Sequence, residues 1–157
     1  PIFKRFLKGE THTLQRLLRS VSRMSKDRVG ALIAIEREGS LANMAETGSR
    51  LDAEINSYLI EAIFQPGSPL HDGAIVIRGD RIVAAGCVLP VSHSPNLDKR
   101  LGTRHRAAVG LTEETDALTL VVSEETGKIS AAIGGSLRQN LSLESLEQTV
   151  EENLGLR

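Results

Sequence analysis

Apolar residues recur along this chain in two rhythms, one helical and one strand-like. Leu14, Leu17, Leu18, Val21 and Met24 fall three or four apart, with Arg16, Arg19 and Arg23 between them. That spacing predicts an amphipathic helix with a basic outer face. Such a face is either solvated or a contact surface for a membrane or partner. Val29-Gly30-Ala31-Leu32-Ile33-Ala34-Ile35 is a continuous apolar run closed by Glu36-Arg37-Glu38-Gly39, as expected of a buried strand and a turn. Leu51, Ile55, Leu59, Ala62 and Ile63 predict a second helix that stops near Gln65-Pro66-Gly67. Residues 74–77 and 82–89 predict paired strands, joined by a tight connection at Arg78-Gly79-Asp80-Arg81. A polar loop over 90–100 leads to a helix with Thr103 as N-cap, running to about Glu114. Leu118-Thr119-Leu120-Val121-Val122 is a β-branched strand. The chain turns through Ser123-Glu124-Glu125-Thr126-Gly127, returns as a strand over 128–133, and breaks at Gly134-Gly135. Ser142 caps a final helix with Leu143, Leu146, Val150 and Leu154 on one face.

Hairpins and helical crossovers are therefore mixed. The expected fold is α/β, a mixed central β-sheet flanked by helices, and not a purely parallel doubly wound sheet. The 157 residues suit one domain with a substantial core. Residues 1–28 read as an appended N-terminal amphipathic helix and residues 29–157 as the main domain. The chain opens on Pro1, so it is expected to be a piece of a longer protein, with any membrane anchor upstream.

Composition narrows the function. A net charge of −1 argues against broad binding to nucleic acid, so any basic site is local. One Tyr, three Phe and no Trp weaken any model of bases stacked in series. A lone Cys87 excludes an internal disulfide and a cysteine-cluster metal site, and its apolar surroundings suggest an inert thiol. No apolar run is long enough to span a bilayer. The Arg78-Gly79-Asp80 tripeptide matches a cell-adhesion motif, but without a secretion signal it reads as a turn.

Polar clusters interrupt the apolar framework near strand ends, where α/β scaffolds carry ligands. Gly102-Thr103-Arg104-His105-Arg106-Ala107-Ala108 puts basic residues in the first helical turn, where a helix is already positive. The arrangement is either a solvated basic turn or an anion site in which N–H groups and guanidinium forks converge on phosphate. Asp72, in His71-Asp72-Gly73-Ala74, is either an Asp-Gly turn or a carboxylate for magnesium or manganese. His71 is either a second ligand or a hydrogen-bonded histidine. Glu124 and Glu125 are either solvated or further oxygen donors, and Ser123 can donate to phosphate. There is no nucleophile elbow, no triad and no Gly-Lys-Ser/Thr loop. Cations, carboxylates and no protein nucleophile together point to metal-assisted phosphoryl or nucleotidyl transfer, in which a substrate hydroxyl attacks.

Leu70-His71-Asp72-Gly73-Ala74, Leu101-Gly102-Thr103-Arg104-His105-Arg106-Ala107-Ala108 and Val121-Val122-Ser123-Glu124-Glu125-Thr126-Gly127 resemble, in order and spacing, the diadenylate cyclase (DAC) domain. The likeness extends from about Val29 to about Leu146, and the nearest kin it suggests are membrane-anchored cyclic di-AMP synthases. The resemblance implies condensation of two ATP into cyclic di-AMP, with release of pyrophosphate, across a face-to-face homodimer. It implies a Mn2+ or Mg2+ cofactor, with Co2+ also admissible, and no nucleic-acid partner. It implies a position on the cytoplasmic side of the cell membrane, with the membrane reached only through the missing N-terminal segment. Carried over by residue, Asp72 is the metal-linked carboxylate, with His71 and Glu125 as further ligands. Arg104, His105 and Arg106 are catalytic, holding phosphates or supporting their loop. Leu70, Gly73, Ala74, Gly86, Val88, Leu89, Thr103, Arg104, His105, Ser123 and Glu125 bind ATP. Relatives often carry Tyr where Val88 stands, so a ring contact to adenine is lost here. The alternative is a nucleotide-binding sensor without chemistry, and a nucleotide hydrolase is a further rival. An assay for cyclic di-AMP, AMP or ADP separates the three.

Overall fold

Apolar side chains on both faces of a strand call for a covering layer on each side. β1 (Ala31–Ile35), β3 (Ala74–Arg78), β4 (Arg81–Cys87), β5 (Leu118–Val122) and β6 (Ile129–Ile133) supply them, and every residue of β1 and β5 is buried. The computed structural model describes residues 11–155. The expectation of an N-terminal unit over 1–28 lies, for residues 1–10, outside the described residues.

Among the described residues, seven strands form one sheet in the order β2-β4-β3-β1-β5-β6-β7, with β2 (Ser49–Glu54) and β7 (Ser136–Leu141) at the edges. Only β1 and β3 run parallel; the other pairs are antiparallel. The mixed sheet read from the chain is thus present.

Alternate residues divide between two apolar layers. Ile33, Ile35, Ile75, Ile77, Leu118 and Leu120 face α1 (Thr11–Asp27), α3 (Ser57–Phe64) and α5 (Leu143–Asn153). Leu32, Ala34, Val76, Ala84 and Val121 face α4 (Thr103–Glu114), next to which Leu41 brings in the short α2 (Ala42–Ala45). Leu17 and Val21 of α1 are fully buried. α4 is buried from Ala107 through Thr112, and its small residues let it sit close to neighbouring backbone. A Cβ on Gly110 would lie 2.0 Å from the Pro90 carbonyl oxygen, so only glycine fits there.

Three sequence expectations change. The helix read from Leu51 onward divides into β2, the extended link Ile55-Asn56 and α3. Leu51 and Ala53 alternate inward, while a bulge at Asp52 (φ 49°) mimics helical spacing. Asn56 begins the helix by accepting from the Leu59 N–H at 3.1 Å. The break at Gly134-Gly135 is a hairpin turn into β7, which carries mostly exposed polar residues. Gly102, not Thr103, is the N-cap of α4, and no side chain caps that end. Ser142 does cap α5, accepting from the Ser145 N–H at 3.0 Å.

Candidate active site

The strand register gathers the three polar motifs at one end of the sheet. Ala74 pairs with Cys87, Ile33 with Ile75 and Ala31 with Val122. The end of β4, the starts of β3 and β1 and the end of β5 therefore lie side by side. Three inter-strand steps make a row about 14 Å wide, the scale of an extended nucleotide.

At the β3–β4 side, the two segments touch through glycines. Gly73 has φ 105° and its backbone packs on β4, where a Cβ would meet the Cys87 oxygen at 2.7 Å. Gly86 has φ 66°, and a Cβ there would meet Leu70 Cδ2 at 3.2 Å. Leu70, Gly73 and Gly86 are thus brought together, beside Ala74. Leu89 is buried, whereas Val88 is 67% exposed. Thr47, absent from the sequence expectations, accepts from the Val88 N–H at 2.8 Å and so fixes the end of this strand.

His71 and Asp72 stand at the mouth of that segment. His71 Nδ1 lies 2.6 Å from the Ser68 carbonyl oxygen. A carbonyl only accepts, so Nδ1 is the donor in that bond. Nε2 faces Asp72 Oδ1 at 3.4 Å. The Asp72 side chain is 88% exposed and is not consumed by the fold. The pair is a two-donor set open to a cation, of the kind in which a second hydrogen bond fixes the ligand tautomer.

At the β1–β5 side, Arg104 leaves the first turn of α4 and lies against Gly30. Its Nη1 is 3.4 Å from Glu124 Oε1, and its Nε is buried with no hydrogen-bond partner. A Cβ at Gly102 would find no atom within 4 Å, so open space fronts this helix end. Thr103 is exposed beside it. Ser123 Oγ accepts from the N–H groups of Glu125 and Thr126 at 3.2 and 3.3 Å, which closes the turn. Gly127 (φ 77°) packs on the end of α1, where Ser25 Oγ donates to the Gly127 oxygen at 2.5 Å.

Arg106 has a different task from Arg104. Its Nε donates to the Leu101 oxygen and its Nη2 to the Asp98 oxygen, both at 3.2 Å. It braces the loop before α4. Asp98 is itself held near pKa 2 by hydrogen bonds from Arg100. Cys87 is buried and its thiol is pushed up to about 11 by that burial, which fits the inert thiol expected.

His105 is half-buried, and burial first, then the Arg104 charge, lower its pKa below the ordinary histidine range; Glu125 opposes the shift. The ring is neutral at pH 7. The unfolded chain binds the proton more readily, so this group's contribution is complete above the ordinary histidine pKa and is lost as pH falls toward the lowered one. The melting temperature of the metal-free protein is expected to fall between pH 7 and 5. His105→Gln should flatten that slope in calorimetry, and an unchanged slope would refute the assignment.

Comparison with known proteins agrees with this fold. The family model described as DAC, DisA bacterial checkpoint controller nucleotide-binding, matches residues 18–137. The cyclic di-AMP synthase CdaA of Bacillus subtilis (strain 168) is 46% identical over 143 residues, which is 91% of this chain and 52% of that protein. A diadenylate cyclase of Listeria monocytogenes serotype 1/2a is 45% identical over 150 residues, 96% of this chain and 55% of that protein. The chain thus spans about half the length of these relatives. A crystal structure of a DacA double mutant from Staphylococcus aureus superposes with TM-score 0.91 at 46% identity, covering 94% of this chain and 98% of that one. A hypothetical membrane spanning protein from Bacillus cereus superposes with TM-score 0.79 at 44% identity, covering 82% and 63%. Among the described residues, no helix is long and apolar enough to cross a membrane. With motifs, fold and family model in agreement, the chain belongs to the DAC family, the nucleotide-binding family of the DisA bacterial checkpoint controller.

Proposed function

We propose that this chain is the catalytic portion of a diadenylate cyclase, which joins two ATP into one cyclic di-AMP and two pyrophosphates. The observation that carries the reading is the shared sheet end: an open carboxylate–imidazole pair on one side and a seated guanidinium on the other. The relatives named for this activity support it.

Each ribose 3′-oxygen attacks the α-phosphorus of the opposite ATP. The new P–O bond replaces the bond to the β-phosphate oxygen, whose electron pair departs with pyrophosphate, and the hydroxyl proton is released. The residues fit a divalent ion, Mn2+ or Mg2+, with Co2+ as a further candidate. Asp72 and His71 would hold it; Glu125, the further ligand expected from the sequence, sits in the turn after β5 and is not grouped with them. Among the described residues no cluster of three or more His, Cys, Asp and Glu is poised as a complete metal site, so substrate phosphates would complete the shell. When bound, the ion neutralises phosphate charge and lowers the pKa of a coordinated hydroxyl.

The chain's own residues do the rest. Arg104 offers its fork to the triphosphate, and the uncapped N–H groups of α4 beside Thr103 add donors without reorganisation. Ser123 donates through its hydroxyl. Neutral His105 donates or accepts without adding charge. Arg106 braces the loop. Leu70, Gly73, Ala74, Gly86, Val88 and Leu89 border adenine.

One ATP per subunit cannot be joined to itself, so two copies must meet face to face. Incubation with ATP and manganese is expected to yield cyclic di-AMP, with a rate that rises with the square of protein concentration at low concentration. Bound ATP without product would favour the sensor, and AMP or ADP the hydrolase. The reading includes attachment to the cytoplasmic side of the cell membrane through a segment outside this chain, supported by likeness to the Bacillus cereus protein.

A further inference from the structure

We propose that Gly30 is a positioning residue for triphosphate binding, its missing side chain being the seat of the Arg104 guanidinium. The inference rests on the reading that Arg104 grips the triphosphate.

Gly30 is buried at the entry to β1, and it is not among the residues with positive φ. Backbone conformation therefore does not require glycine there. Space does. A Cβ would lie 2.6 Å from Arg104 Cζ, 2.6 Å from Nη1 and 3.0 Å from Nη2. The planar group lies flat on bare backbone, 74 positions away in sequence from its own Cα. Glu124 engages Nη1 at 3.4 Å, and Nε is sealed from solvent without a partner. Backbone beneath and a carboxylate beside it thus fix the direction of the remaining N–H groups. This matters because a fork binds phosphate only when its donors are aimed.

A methyl group at position 30 would displace the end of a flexible side chain, not a strand. The fold should survive while the guanidinium loses its aim. The separation is testable with Gly30→Ala, Arg104→Ala and the double variant. The readouts are melting temperature, and titration with adenosine and with a non-hydrolysable ATP analogue. Gly30→Ala is expected to melt within about 4 °C of the parent. It should bind adenosine as the parent does, and bind the ATP analogue at least about tenfold more weakly. The double variant should bind the analogue no more weakly than Arg104→Ala alone, because both changes remove one interaction.

Parental analogue affinity in Gly30→Ala overturns the proposal. So do equal losses for adenosine and analogue, multiplying losses in the double variant, or a melting temperature lowered by more than about 10 °C, since each assigns the methyl's effect to the fold. Parental analogue affinity in Arg104→Ala is a different result. It would remove the phosphate role itself.

Discussion

Asp72→Asn is expected to abolish cyclic di-AMP formation with the fold intact. The side chain is 88% exposed and its neighbour among the described residues is His71 Nε2 at 3.4 Å, so little stability is lost with the charge. Asparagine keeps the shape and loses one formal negative charge. A divalent ion held by Asp72 and His71 would then lose its anionic anchor. Charge stabilisation by such an ion is worth several kcal/mol, on the order of a thousandfold in rate. Product measured by chromatography should fall by about that factor, and the melting temperature should stay within about 2 °C of the parent. Near-parental turnover with manganese supplied would remove Asp72 from the metal site.

Arg104→Ala should weaken ATP binding about tenfold to a hundredfold and depress turnover further. Hydrogen bonds to a charged phosphate are worth about 1.5–3 kcal/mol each, and those aimed at developing charge act most strongly in the transition state. The effect on stability has the opposite character. Arg104 buries an Nε with no partner, and its ion pair is to a mostly exposed Glu124, so the side chain gives the fold little in return. Arg104→Lys keeps the charge without the fork and should fall between the two. Unchanged affinity of Arg104→Ala in a calorimetric titration would end the phosphate role.

The central elements are legible in the chain because burial on two faces writes itself into sequence. β1 is an unbroken apolar run, β3 one up to Arg78 and β5 one interrupted only by Thr119, and the β3–β4 turn announces itself through Gly79. The edges are not legible. β2 has few inward residues and a bulge, so Leu51 and Ile55 fit a helical period as well as a strand. β7 presents Arg138, Gln139 and Asn140 to solvent and carries almost no apolar signal. Short polar edges are how sheets avoid pairing with other chains, and the same property hides them from a pattern reading.

The site shows the same division. Its motifs are local strings, so Asp72, Arg104 and Ser123 stand out from the order of residues alone. Their partners do not. Which of two adjacent acids engages Arg104 depends on how the Ser123–Gly127 turn meets α4, and it is Glu124. Thr47 and Gly30 act from other elements through tertiary contact alone. The two arginines of one motif have separate work, with Arg106 spent on loop carbonyls, and only the folded geometry distinguishes them.

The clasp between Ser25 and Gly127 has one more consequence. The last turn of α1 and the loop bearing Ser123 are bolted together, so the opening helix cannot be trimmed away as a dispensable leader. A protein shortened to begin at residue 29 would forfeit Leu17, Val21 and Met24 from its interior. It would also leave the turn after β5, and with it the rim of the proposed nucleotide site, without a foundation.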